Sequence, residues 1–155
     1  EHGSMLTDEA IELMKQHGTF LVPTIYLTER VDVTKLPPLI RRKAETVIPL
    51  VDVSLRKAIK AGVKIALGTD AAVIPHGENG KEFAAMMKRG MTSAEAIRSA
   101  TINGAELLGV DDRGRLEPGL LADIIAVDGN PLDKIEVMEN VRFVMKDGRI
   151  YKRGD

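Results

Sequence analysis

Two short, continuous apolar runs constrain the fold of this sequence more than any other feature. The first (TFLVPT, residues 19–24) follows a helical pattern over residues 7–17, and the second (VKIALGTD, residues 63–70) follows a longer helical pattern over residues 38–60. Strands that are apolar throughout, instead of alternating with polar residues, are typically covered on both faces. Helices that alternate with such strands are typical of parallel β/α units. The order helix, strand, helix, strand therefore predicts an α/β fold.

Further local signals divide the first two-thirds of the chain. Pro49 falls inside the long helical pattern, so we expect a break or a kink there. Two more helices are predicted over residues 80–89 and 92–108, and Thr92 or the serine after it is suited to cap the second. Glu95 stands near the position that completes a capping box.

The chain changes character near residue 110. Three short β-like runs follow, at residues 122–127, 141–145 and 149–152. Asp147-Gly148 lies between the last two runs and favours a tight hairpin turn with positive φ angles. We therefore expect two parts: residues 1–109 built from β/α units, and residues 110–155 forming a small β module.

Composition excludes several classes of function. The 155 residues are 44% apolar and 29% charged, with a net charge of −1, 3% aromatic residues and no cysteine. A nearly neutral, aromatic-poor chain offers no electrostatic or stacking surface for nucleic acid, and no apolar run reaches the roughly 18 residues of a membrane span. Without cysteine there is neither a disulfide framework nor a thiolate metal site. We expect a cytoplasmic protein with no nucleic-acid or membrane partner.

Four polar side chains fall where parallel strands end. Asp70 ends the second apolar run, His76 follows in the next loop, Tyr26 follows the first run, and His2 stands where an earlier strand would end. In β/α folds this edge carries the functional groups, and imidazole with carboxylate suits a divalent metal or proton transfer. Each residue also has a plainer interpretation, such as a turn at Asp70 or an ordinary surface side chain at His2. Spacing alone leaves the function open.

Several stretches taken together resemble the carboxyl-terminal part of the metal-dependent amidohydrolase superfamily. The resemblance is nearest to its branch of imidazolonepropionase-like enzymes and Xaa-Pro dipeptidases. It spreads from residue 1 to residue 151 in the family order. The stretches that carry it are EHGSMLTDE, VPTIY, GVKIALGTDA, PHGEN, MTSAEAIRSATINGAELLG, GRLEPGLLADIIAVDGNPL and VMKDGRIY.

The resemblance implies a fold, a cofactor and roles for individual residues. The fold would be the last strands and helices of a (β/α)8 TIM-like barrel plus part of a small β-sandwich, with one or two divalent metals, usually zinc. His2 matches the ligand that ends strand six. Asp70 matches the aspartate that ends strand eight, which binds metal and exchanges a proton with the attacking hydroxide. Tyr26, His76 and Asn79 match positions that contact the substrate.

The activity implied is hydrolysis of amide or peptide-like C–N bonds in small molecules or dipeptides. The family's His-x-His on strand one, its metal-bridging residue on strand four and its histidine on strand five have no counterpart in this sequence. We therefore expect the 155 residues to be inactive alone and to associate with the missing amino-terminal barrel half or with a copy of themselves. A non-catalytic fragment or subunit is the alternative, and a metal-free binding protein is a weaker one.

Overall fold

Capping residues define the ends of the first helix of the fold. A computed structural model describes residues 1–154. Helix α1 spans Asp8–His17, where the Thr7 hydroxyl accepts the Ala10 N–H at 3.1 Å and Gly18 ends the helix at φ +63°. A short helix α2 spans Tyr26–Arg30.

The long helix α3 spans Pro38–Ala61 and continues through Pro49. Of the two outcomes expected at Pro49, the break is wrong, and the kink stays a prediction. A proline inside a helix removes one N–H donor and leaves the carbonyl four residues earlier, that of Glu45, without its usual partner. Both Pro49 and Glu45 are exposed, so water can satisfy that carbonyl and the helix is not forced to end.

The two apolar runs lie side by side and parallel, as predicted, but they form a single bridge instead of regular strands. The N–H of Leu21 donates to the Lys64 carbonyl at 2.8 Å, and the N–H of Ala66 donates to the Leu21 carbonyl at 3.0 Å. Beside this bridge, the His2 N–H donates to the Val22 carbonyl at 2.9 Å. The predicted strand lengths are therefore wrong, whereas the predicted parallel arrangement is confirmed.

The second half of the β/α part contains three helices instead of the predicted two. They are α4 (Lys81–Met87), α5 (Ser93–Ala100) and α6 (Ile102–Leu107). The predicted helix over residues 92–108 is interrupted at Thr101, whose φ and ψ are −122° and −92°. The interruption leaves the carbonyl of Ser99 to accept the Leu67 N–H at 3.0 Å, so helix α5 contacts the second apolar run. The interruption at Thr101 thus coincides with a hydrogen bond between helix α5 and the second apolar run.

Residues 124–153 form an antiparallel sheet. Its strands are β1 (Ile124–Val127), β2 (Val141–Lys146) and β3 (Arg149–Arg153), in the order β1-β2-β3. Asp147 and Gly148 have φ of +48° and +73°, which is the geometry predicted for the turn between β2 and β3. A 3-10 helix at Ile135–Glu139 joins β1 to β2 and packs against α4.

The core lies between α1, α3, α4, α5 and the paired apolar runs. Ile25 and Met86 are fully buried there, and Leu21 and Ile65 of the parallel bridge are nearly so. Within residues 1–154 no helix is both long and apolar enough to cross a membrane.

Candidate active site

His2 is held at the end of the first apolar run. Its backbone N–H pairs with the Val22 carbonyl, and its Nδ1 lies 2.9 Å from the Thr24 hydroxyl. Its φ of +61° lies in the left-handed region, which non-glycine residues adopt rarely. A hydroxyl on Nδ1 resembles the supporting contacts of metal-bound histidines, in which the other ring nitrogen binds the metal.

Asp70 lies exposed at the end of the second apolar run, in a tight turn. Its φ is +50°, and its carbonyl accepts the Val73 N–H at 3.1 Å. Thr69, the residue before it, accepts a hydrogen bond from the Asn79 side-chain amide at 2.9 Å. The carbonyl oxygen of that amide accepts the Gly77 N–H at 3.2 Å. Asn79 therefore ties the loop containing His76 to the strand end that bears the carboxylate.

Tyr26 begins helix α2 and contacts the same loop. Its hydroxyl donates to Glu78 at 2.7 Å, and Lys81 Nζ lies 5.4 Å from the centre of its ring. The hydrogen bond from Tyr26, with smaller contributions from Lys81 and Arg30, lowers the pKa of Glu78. Glu78 is therefore an anion that holds the Tyr26 hydroxyl against this loop.

Glu82 is a residue that the sequence interpretation missed. It is 0% exposed, and its two carboxylate oxygens accept the N–H groups of Ile25 and Tyr26 at 2.7 and 3.0 Å. Burial raises the pKa of this carboxyl to about 7, against the lowering effect of the two N–H donors. A signal was present in the sequence, because Glu82 lies three and four residues before Ala85 and Met86, on the buried side of α4.

The structure brings some of the predicted site residues together. Tyr26 donates to Glu78 in the loop of residues 75–80, and Asn79 of that loop donates to Thr69, the neighbour of Asp70. His76 lies exposed in that loop. No hydrogen bond or ion pair joins His2 to Asp70 within the described part of the chain, residues 1–154.

The donor set matches part of a metal site. Imidazole and carboxylate are ligands that zinc prefers, and a catalytic zinc usually has three protein ligands. Across residues 1–154 no group of three or more His, Cys, Asp or Glu side chains could hold a metal ion. His2 and Asp70 are therefore ligands of a suitable chemical type, but two side chains are fewer than the three that a catalytic zinc usually has.

Sequence comparisons relate almost the whole chain to parts of longer proteins. Ochratoxinase from Aspergillus niger is 37% identical over 161 residues, which cover 98% of this chain and 33% of ochratoxinase. An uncharacterized protein from Mycobacterium tuberculosis is 32% identical over 156 residues, covering 97% of this chain and 41% of that protein. The chain thus spans well under half the length of the curated relatives it matches.

Solved structures agree with these relatives. A Xaa-Pro dipeptidase with methionine bound in its active site matches with a TM-score of 0.91 and 46% identity, over 97% of this chain and 39% of that one. The crystal structure of Aspergillus niger ochratoxinase matches with a TM-score of 0.86 and 35% identity, over 98% and 36% of the two chains. The resemblance inferred from the sequence motifs is therefore confirmed. Because the model of the amidohydrolase family also matches residues 1–151, the chain belongs to that family.

Proposed function

We propose that this chain is the carboxyl-terminal part of a metal-dependent hydrolase that cleaves amide or peptide-like C–N bonds. The observation that carries the proposal is the 46% identity to a Xaa-Pro dipeptidase over 97% of the chain. The similarity to ochratoxinase supports the same class of enzyme. Dipeptides with a carboxyl-terminal proline are the first substrates to test.

The proposed architecture is the last strands and helices of a (β/α)8 barrel followed by part of a β-sandwich. Residues 1–109 would belong to the barrel and residues 110–155 to the sandwich. The parallel pairing of Leu21 with Ile65 supports the first assignment, and the antiparallel sheet β1-β2-β3 supports the second.

His2 and Asp70 are the residues that would hold a divalent metal, with zinc as the metal proposed. Such a metal, when bound, polarises the substrate carbonyl and makes water more acidic. Asp70 accepts the proton that water loses as its oxygen adds to the carbonyl carbon. The same carboxyl then delivers the proton to the nitrogen as the C–N bond breaks. Their backbone angles support a special role, since only four non-glycine residues among residues 1–154 have positive φ and His2 and Asp70 are two of them.

Tyr26, His76 and Asn79 are proposed to contact the substrate. Tyr26 and Asn79 are each held by a hydrogen bond, to Glu78 and to Thr69 respectively, so their polar groups are already oriented. An oriented contact adds affinity because less side-chain freedom is lost on binding. His76 is exposed in the same loop, where it is free to approach a ligand.

The test is Asp70→Asn in the full-length, zinc-loaded enzyme. Asparagine has nearly the same shape and tolerates a left-handed φ, so folding should be retained while proton transfer is lost. We expect the turnover of a dipeptide such as Met-Pro to fall by about 10²–10⁴-fold.

A matched control is available in the turn between β2 and β3. Asp147 has φ +48°, close to the φ of +50° at Asp70, and it lies outside the proposed site. Asp147→Asn should therefore retain wild-type turnover. Full activity in the Asp70→Asn variant, with zinc content unchanged, would contradict the assignment of Asp70.

A further inference from the structure

We propose that Glu82 is a positioning residue for Tyr26. Its buried carboxylate on α4 holds the backbone at the start of α2 so that the Tyr26 side chain lies against the loop containing Asn79. This inference rests on the proposed function, because it assigns Glu82 to the site in which Tyr26 would contact the substrate.

Helix α2 needs an external partner at its amino-terminal end. The helix has only five residues, and Ile25 at its N-cap position makes no side-chain capping hydrogen bond. The first N–H groups of a helix have no partner within the helix. Glu82, which lies 56 and 57 positions further along the chain, accepts the N–H groups of Ile25 and Tyr26 instead. A side chain from another helix thus fixes where α2 begins.

The carboxyl-terminal end of α2 is held by the same helical region. Glu29 forms ion pairs with Lys88 at 2.6 Å and with Arg89. These ion pairs are at least partly exposed to solvent, in contrast to the fully buried Glu82. Glu29 and Glu82 therefore anchor opposite ends of one short helix, and only Glu82 touches the backbone of Tyr26.

Burying an ionised carboxylate costs free energy, so a carboxylate is a poor choice for a residue whose only role is to stabilise the fold. Desolvation of an ionised group costs several kcal/mol unless strong hydrogen bonds replace its water. The two N–H groups supply such bonds, and they fix the direction of the peptide that leads into Tyr26. The Tyr26 hydroxyl then reaches Glu78, the neighbour of Asn79. Movement of this peptide would move the phenol relative to the loop.

The experiment combines Glu82→Gln with Tyr26→Phe in the full-length, zinc-loaded enzyme, with Met-Pro as substrate. Glutamine has nearly the same size as glutamate, but its NH2 group replaces one of the two oxygens that accept backbone N–H groups. One donor would then face another donor. We expect Glu82→Gln to raise KM by about tenfold with little change in kcat, the effect of losing one strong hydrogen bond. The double variant should be no worse than the more affected single variant, because both changes act through Tyr26.

Glu29→Gln is the matched control, since it loosens the other end of α2 and leaves the Tyr26 N–H bonded. Its KM should stay near the wild-type value. Hydrogen exchange gives a second readout: the Ile25 and Tyr26 amides should exchange at least about tenfold faster in Glu82→Gln than in Glu29→Gln.

Three results would overturn the inference. They are an unchanged KM in Glu82→Gln, KM effects that add in the double variant, and unchanged exchange at Ile25 and Tyr26. If the wild-type enzyme itself fails to hydrolyse Met-Pro, the proposed substrate class fails. In that case the exchange rates still decide whether Glu82 holds the start of α2.

Discussion

The buried carboxyl of Glu82 makes the stability of the folded protein depend on pH. Its carboxyl is enclosed by the core, and burial raises its pKa to about 7 although the Ile25 and Tyr26 N–H groups and the charge of Arg89 oppose the rise. The neighbouring charge of Glu29 adds to the rise. In the unfolded chain the same carboxyl has its ordinary pKa of 4.5. Between these two values the folded protein binds a proton that the unfolded protein has released.

This difference predicts that stability falls as the pH rises from 4.5 to about 7. The contribution of Glu82 is complete below the lower value and is lost above the higher one, a change of about 3 kcal/mol in the free energy of unfolding. Glu82→Gln cannot titrate and should remove this contribution. Urea unfolding of both proteins at a series of pH values measures it. Parallel stability curves for wild type and variant would show that the buried carboxyl does not titrate in this range.

At the scale of elements, the contact between α4 and the 3-10 helix at Ile135–Glu139 depends on a missing side chain. Gly80 precedes α4 with an ordinary φ of −62°, so no special backbone angle requires glycine there. A Cβ at this position would lie 2.5 Å from the Met138 carbonyl oxygen. Because this oxygen belongs to the backbone, no side-chain rotation of Met138 can relieve the clash. The close approach of these two elements therefore requires glycine on steric grounds.

We accordingly expect Gly80→Ala to destabilise the protein by about 1–3 kcal/mol, the usual range for overpacking. Gly104→Ala in helix α6 is the control, since its Cβ would lie 3.6 Å from the carbonyl oxygen of Ser99 in α5, which is an ordinary contact distance. Alanine there should be neutral or stabilising by up to about 1 kcal/mol. Thermal unfolding of the two variants compares them directly. Equal melting temperatures would mean that the 3-10 helix moves aside without cost.

At the scale of the whole molecule, exposed apolar side chains indicate surfaces that would contact other protein. Several large apolar side chains are more than 40% exposed, and many of them lie on α3 or after α6. They include Leu39, Ile40, Leu50, Val53, Leu107, Leu108 and Leu116. Exposed apolar side chains concentrated in two parts of the chain favour contact surfaces there.

We predict that the 155 residues produced alone neither hydrolyse Met-Pro nor bind zinc tightly. His2 and Asp70 supply fewer ligands than a catalytic zinc requires, so affinity should be at least about a hundredfold below that of the full-length enzyme. The exposed apolar side chains should make this chain self-associate. Titration calorimetry with zinc and sedimentation velocity measure both properties. A stable monomer that turns over substrate would contradict the division of the site between this chain and the rest of a barrel.

Features that depend on neighbouring residues could be predicted from the sequence. The capping box of Thr92 with Glu95 and the turn at Asp147-Gly148 each involve residues within three positions, so local chemistry decides them. The boundaries of α1 and the antiparallel hairpin follow in the same way. The motifs that identified the amidohydrolase family are also local stretches in a fixed order, and the family assignment is confirmed.

The remaining features required the tertiary structure. The Ser99 carbonyl binds Leu67, a residue 32 positions earlier, and no local pattern indicates that the helix over residues 92–108 would be interrupted for it. The spacing of Glu82 from Ala85 and Met86 places it on the buried side of α4, but only the fold shows that its partners are the N–H groups of Ile25 and Tyr26. By itself the sequence determined the α/β class, the family and most helix ends, because these depend on local periodicity and motif order. Which polar groups meet inside the core was decided only by packing, because the energy of a buried hydrogen bond depends on a partner that is distant in the chain.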